Sequence, residues 1–106
     1  MPKIQTITQA VPPLLTWLVA ETCLERAGIT PTKELVNGLV AKANFHFNTS
    51  EGFKKGVKSK ANNGNAGRDC LYAFMEMWVN GKYWERHELL PKEYAPYQEQ
   101  IPEYKQ

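Results

Sequence analysis

A chain of 106 residues with net charge +2 and 42% hydrophobic residues fits one domain of ordinary size. Three Trp, five Tyr and four Phe are enough to build a core, which excludes wholesale disorder. The charge is too small to dictate a polyanionic partner, and no stretch approaches the roughly 18–20 apolar residues of a membrane span.

The first helix starts at Pro12-Pro13, because proline's fixed φ and missing N–H cost nothing in a first turn. Leu14, Leu15, Trp17, Leu18, Leu24 and Ala27 follow at helical spacing as its inner face, with Glu21, Glu25 and Arg26 outside. Gly28 closes it. Thr30-Pro31 then reads as an N-cap and first helical residue. The second helix sets Leu35, Val36, Leu39, Val40 and Ala43 on one face, and so short a link predicts an antiparallel pair.

Asn44 to Ser50 breaks that rhythm. Ser50 caps a weaker third helix with Phe53, Val57 and Ala61 on one side and lysines on the other. Gly52 and Gly56 each cost it about 1 kcal/mol relative to alanine. Residues 62–65, Asn-Asn-Gly-Asn, form a loop. A fourth helix spans Ala66 to Val79, with Leu71, Phe74, Met75 and Trp78 as its stripe.

Asn80-Gly81 ends that helix in the favoured reading. In a rival reading it turns a short β-hairpin whose return strand begins at Tyr83-Trp84. Prolines 91, 96 and 102 forbid a long helix afterwards, and Tyr94, Tyr97, Ile101 and Tyr104 anchor an irregular tail. The fold class is therefore mainly α, a single-domain helical bundle of about four helices with irregular termini over 1–11 and 91–106.

Charge is unevenly distributed. Residues 51–70 carry +3 between a front half at +1 and a remainder at −2. Cys23 and Cys70 lack CxxC spacing and read as buried free thiols in a reducing compartment, with a bridge between them as the alternative. The apolar run 10–20 contains two prolines and lacks a small-residue cleavage site, so the chain reads as cytoplasmic.

No catalytic constellation emerges. His46 and His87 have no Cys or acidic residue at ligand spacing, so no metal site is expected, and no cofactor motif is present. No Ser sits in a GxSxG turn, and the carboxylate pairs Glu85/Glu88 and Glu99/Glu103 read as solvated. The loop 62–68 puts two glycines and Arg68 before a helix start, where phosphate is favoured, yet it matches no phosphate-binding spacing.

Two features carry functional readings. Lys54, Lys55, Lys58, Lys60 and Arg68 form a basic patch able to contact phosphates, with Phe45, Phe47 and Phe53 nearby to stack on bases where exposed. Trp78, Tyr83 and Trp84 are candidate aromatics of a partner surface, with the core as the plainer alternative.

The segment Asn63-Gly64-Asn65-Ala66-Gly67-Arg68, followed by Leu71, Phe74, Trp78 and Asn80, resembles an uncharacterised small helical family of phage and proteobacterial genomes. The resemblance covers at most the last 50 residues and implies a small accessory protein, with no activity or functional residues attached. The leading expectation is a non-enzymatic protein-binding module, an inhibitor or regulator acting by surface occlusion. The alternative is a small nucleic-acid-binding protein using the lysine patch, and an enzyme ranks third. A protein partner or a second copy of the chain would cover apolar surface that so small a domain leaves over.

Overall fold

The computed structural model describes residues 4–58, 65–81, 94–102 and 104. A 3-10 turn over Ile7–Gln9 precedes five helices: α1 (Pro13–Arg26), α2 (Lys33–Thr49), α3 (Glu51–Lys58), α4 (Asn65–Asn80) and the single turn α5 (Ala95–Gln98). Among the described residues there is no strand, and the protein is a small mainly-α bundle. No described helix is long and apolar enough to cross a membrane.

The ends of α1 follow from its sequence. Proline occupies its first turn. At the other end Gly28 takes φ +79°, its N–H bonding to the Glu25 carbonyl while the Ile29 N–H reaches the Leu24 carbonyl. This paired closure needs a left-handed residue, which glycine adopts without a Cβ clash.

The inner face of α1 differs from expectation. Thr16, Val19, Ala20, Cys23 and Leu24 are buried, whereas Leu14 is 74% and Leu18 52% exposed. Thr16 satisfies its own hydroxyl on the Pro13 carbonyl at 2.7 Å. Its buried neighbours Ala20 and Cys23 are small, so they let α4 and α2 approach closely and leave the leucines outside.

α2 is the hub: it touches α1, α3, α4, α5 and the 3-10 turn. Its N-cap is Thr32 rather than Thr30, with the Thr32 hydroxyl accepting the Leu35 N–H at 3.2 Å. It also runs on through Asn44 to Thr49, where the sequence suggested a break. The asparagines explain both the misleading pattern and the continuation. Asn37, Asn44 and Asn48 stand one or two turns apart on one side of α2, facing the chain around the 3-10 turn, the short α5 and Tyr104.

Asn44, fully buried, accepts from the Ile7 N–H at 2.8 Å and donates to the Tyr97 carbonyl at 2.9 Å. Asn48 holds Gln5 through both backbone groups, at 2.7 and 2.8 Å. Asn37 accepts the Tyr104 N–H at 2.7 Å. A carboxamide offers one acceptor and two donors, so this row satisfies backbone that a sheet ladder would otherwise pair. The irregular termini thereby become part of the core: Ile7, Val11, Tyr94, Ile101 and Tyr104 are all buried.

Ser50 is a one-residue break between α2 and α3. It is extended, and its hydroxyl caps the Phe53 N–H at 3.4 Å. α3 then packs tightly on α4. A methyl group on Gly56 would run into Cys70 Sγ, and one on Gly67 into the Val57 carbonyl oxygen. Gly56 is thus required by close helix approach, while Gly52 faces open space. Ala61 lies outside the described residues.

α4 settles the helix-or-hairpin alternative for 74–79. It runs to Asn80, and the Gly81 N–H still bonds back to the Met77 carbonyl at 2.8 Å. Helical periodicity puts Leu71, Met75, Trp78 and Val79 inside. Alternation would have split the same apolar groups between two faces. The return strand at Tyr83-Trp84 falls outside the described residues.

Candidate functional site

The lysine patch is only partly assembled. Lys55 and Lys58 project from α3 into solvent, while Lys54 folds over the Phe47 ring with its ammonium 5.7 Å from the centroid. Arg68 stands in the first turn of α4, beside the Gly67–Val57 contact that brings that turn against the end of α3. Its guanidinium lies 3.7 Å from Asp69. Lys60 and most of the glycine-containing loop fall outside the described residues.

The base-stacking platform is absent from these neighbours. Phe47 and Phe53 are each 1% exposed, and Phe45 packs against Tyr94 and Tyr97 at 4.9 and 5.2 Å. These rings close the core around α2 rather than face solvent.

Trp78 is also corrected as a surface aromatic. It is 3% exposed, because the stripe of α4 turns it toward α2 and α3. Tyr83 and Trp84 lie outside the described residues. Among the described residues the exposed large apolar side chains are Leu14, Leu18 and Met77. Both thiols are free; Cys23 is buried and Cys70 half-buried. Burial first, then the Glu76 carboxylate, pushes the Cys23 thiol up to about 11, which leaves it unreactive at neutral pH. No group of three or more His, Cys, Asp or Glu side chains gathers among the described residues.

A different constellation does gather, in a cleft of about 290 Å³ between α2, α3, α4 and the start of α5. α2 contributes Lys42 and His46, one turn apart, and Ser50 follows one turn later at the α2–α3 junction. The apolar walls are Phe53, Phe74 and Trp78, and half-exposed Met77 stands at the mouth. Tyr94 closes the far side.

Lys42 is the unusual member, only 6% exposed in a predominantly apolar setting. Its ammonium donates to Tyr94 Oη at 3.0 Å and lies 5.1 Å from the Tyr94 ring centroid and 5.7 Å from that of Trp78. Aromatic faces attract a cation, which offsets part of its desolvation. Among the described residues no carboxylate reaches ion-pair distance of it. His46 stacks on Trp78 at 4.9 Å with planes 22° apart. Burial, reinforced by the neighbouring Lys42 charge, lowers its pKa from 6.5 and favours the neutral ring.

Sequence reasoning missed Lys42, Ser50 and Tyr94 as members of one site and weighed His46 only as a metal ligand. The available signal was their helical spacing: 42, 46 and 50 form one face only when α2 continues past Asn44. No family model, no curated protein and no solved structure matches this chain.

Proposed function

We propose that the protein is a non-enzymatic accessory module that binds another protein and acts by covering its surface, as an inhibitor or regulator. The observation carrying this reading is the outward ridge of α1, where Leu14 and Leu18 stand 74% and 52% exposed, one turn apart. Glu21 and Glu25 continue the same helical side, so the ridge passes from apolar to acidic. A basic, amphipathic helix is the partner chemistry that complements it. Exposed leucines in register on a helix whose other side is already packed have no role in the fold's own core. The accessory character also agrees with the resemblance of residues 63–80 to small phage and proteobacterial helical proteins.

A benzophenone amino acid placed at position 18 tests this by photocrosslinking in cells. A discrete protein adduct is expected at 18, none at a control position 55, and loss of the adduct in Leu14→Ser. Those serine and benzophenone changes leave the fold's stability within about 0.5 kcal/mol, because the site is solvent-facing. Adducts at 55 rather than 18 would shift the reading to the lysine face.

The second reading is nucleic-acid contact through Lys55 and Lys58, supported by their exposure on α3. Anisotropy of labelled DNA and RNA at low and near-physiological salt decides it. Salt-sensitive binding lost in a Lys54→Glu, Lys55→Glu, Lys58→Glu variant supports it, and no binding at low salt removes it.

A further inference from the structure

Beside the neutral His46 ring, the Lys42 cleft gathers three groups able to donate a proton to a ligand: Lys42, Tyr94 and Ser50. Lys42 has three N–H donors and no acceptor. Tyr94 Oη is the one oxygen among the described residues that takes a hydrogen bond from it. That bond occupies the acceptor side of the Tyr94 hydroxyl and leaves its O–H to donate. Ser50 repeats the arrangement, since its Oγ accepts the Phe53 N–H at 3.4 Å and so turns its own proton elsewhere. Beside this donor set stand the flat faces of Phe53, Phe74 and Trp78.

We infer that the cleft binds a small aromatic carboxylate, its carboxyl group on Lys42 Nζ and Tyr94 Oη and its ring against Phe74 and Trp78. The acceptor must be anionic because the ammonium is desolvated, has no carboxylate of the chain's own described residues, and gains most from a charge-assisted bond. The body must be flat and apolar because the remaining walls are aromatic. A volume of about 290 Å³ admits one ring or a fused pair with a short acidic arm. This inference stands apart from the α1 ridge, which lies on another helix.

The test uses the full chain and four probes: phenylacetate and indole-3-acetate, with 2-phenylethanol and phenethylammonium as neutral and cationic counterparts. Binding is read by NMR from the Trp78 indole N–H and the Met77 methyl resonances. Saturable shifts at both groups are expected with the two carboxylates. The alcohol binds about tenfold or more weakly, the equivalent of one charge-assisted hydrogen bond, and the ammonium ligand gives none. Lys42→Met, which keeps the stem and removes the charge, abolishes the preference of carboxylate over alcohol. Equal binding of the alcohol, preference for the ammonium ligand, or no shift at Trp78 and Met77 with either carboxylate overturns the inference. These comparisons on the unmodified chain hold even where the variant does not fold.

Discussion

Asn37, Asn44 and Asn48 lie on one side of α2; Lys42, His46 and Ser50 lie half a turn round on the other. Both sides are polar and largely covered, but they are completed differently. On the asparagine side the chain supplies its own partners: the amides of Gln5, Ile7 and Tyr104 and the carbonyls of Gln5 and Tyr97. On the lysine side the described residues supply one phenol oxygen to a cation, and the Ser50 and Tyr94 hydroxyls line an open cleft. A buried polar group therefore signals architecture when its hydrogen bonds close within the chain. It signals a ligand when they remain open on one sign.

The largest test of this contrast is Asn44→Leu. It keeps the branched shape, orphans the Ile7 N–H at roughly 1–3 kcal/mol and leaves the Tyr97 carbonyl only its long bond from Gln100, so a loss of about 2–4 kcal/mol in urea unfolding is expected. Gly67→Ala comes next. The added methyl meets the Val57 carbonyl, a backbone atom that cannot swing aside, and α4 must shift from α3 at a cost of about 1–3 kcal/mol. The same variant displaces Phe74 from Phe53, now 4.9 Å apart, and broadens the Trp78 indole resonance.

Lys42→Met has a smaller expected effect. Removing the cation loses its aromatic contacts but also its desolvation penalty, so the change in unfolding free energy stays within about 1 kcal/mol. A loss as large as that of Asn44→Leu would make Lys42 a structural residue and erase the contrast.

The smallest effect is in pH. His46 titrates lower in the folded chain than its ordinary 6.5 because of burial and Lys42. Its contribution is fully present above 6.5. As pH falls below that value the unfolded chain takes up the proton first, and stability declines until the folded ring is protonated too. A His46→Gln variant should flatten that decline in unfolding curves recorded from pH 7.5 to pH 5.

How much of this could be read beforehand differed between helices for physical reasons. The ends of α1 were readable because Pro12-Pro13 and Gly28 act through backbone geometry alone. The stripe of α4 was readable because Leu71, Met75 and Trp78 are large and apolar, and period alone orients them. The buried side of α1 was misassigned because its contact surface is made of Thr16, Ala20 and Cys23, small residues chosen for close approach. The far half of α2 was misassigned because asparagine ordinarily marks a turn, and only partners 37 to 67 residues away reveal its role. The cleft was hidden by the same error, since Lys42, His46 and Ser50 align only along a continuous helix.

The row of asparagines also bears on how the chain is made. Asn44 is engaged by a residue near the front, Ile7, and by one near the end, Tyr97, while Asn37 waits for Tyr104. During synthesis the first fifty or so residues emerge with one flank of α2 half finished, since Gln5 and Ile7 can dock at once but the other partners do not yet exist. Tyr97 and Tyr104, made well after α2, are therefore a closing clasp on its flank. A C-terminal fusion or a truncation that delays or removes residues 97–104 should raise aggregation during expression well before it alters any residue of the cleft.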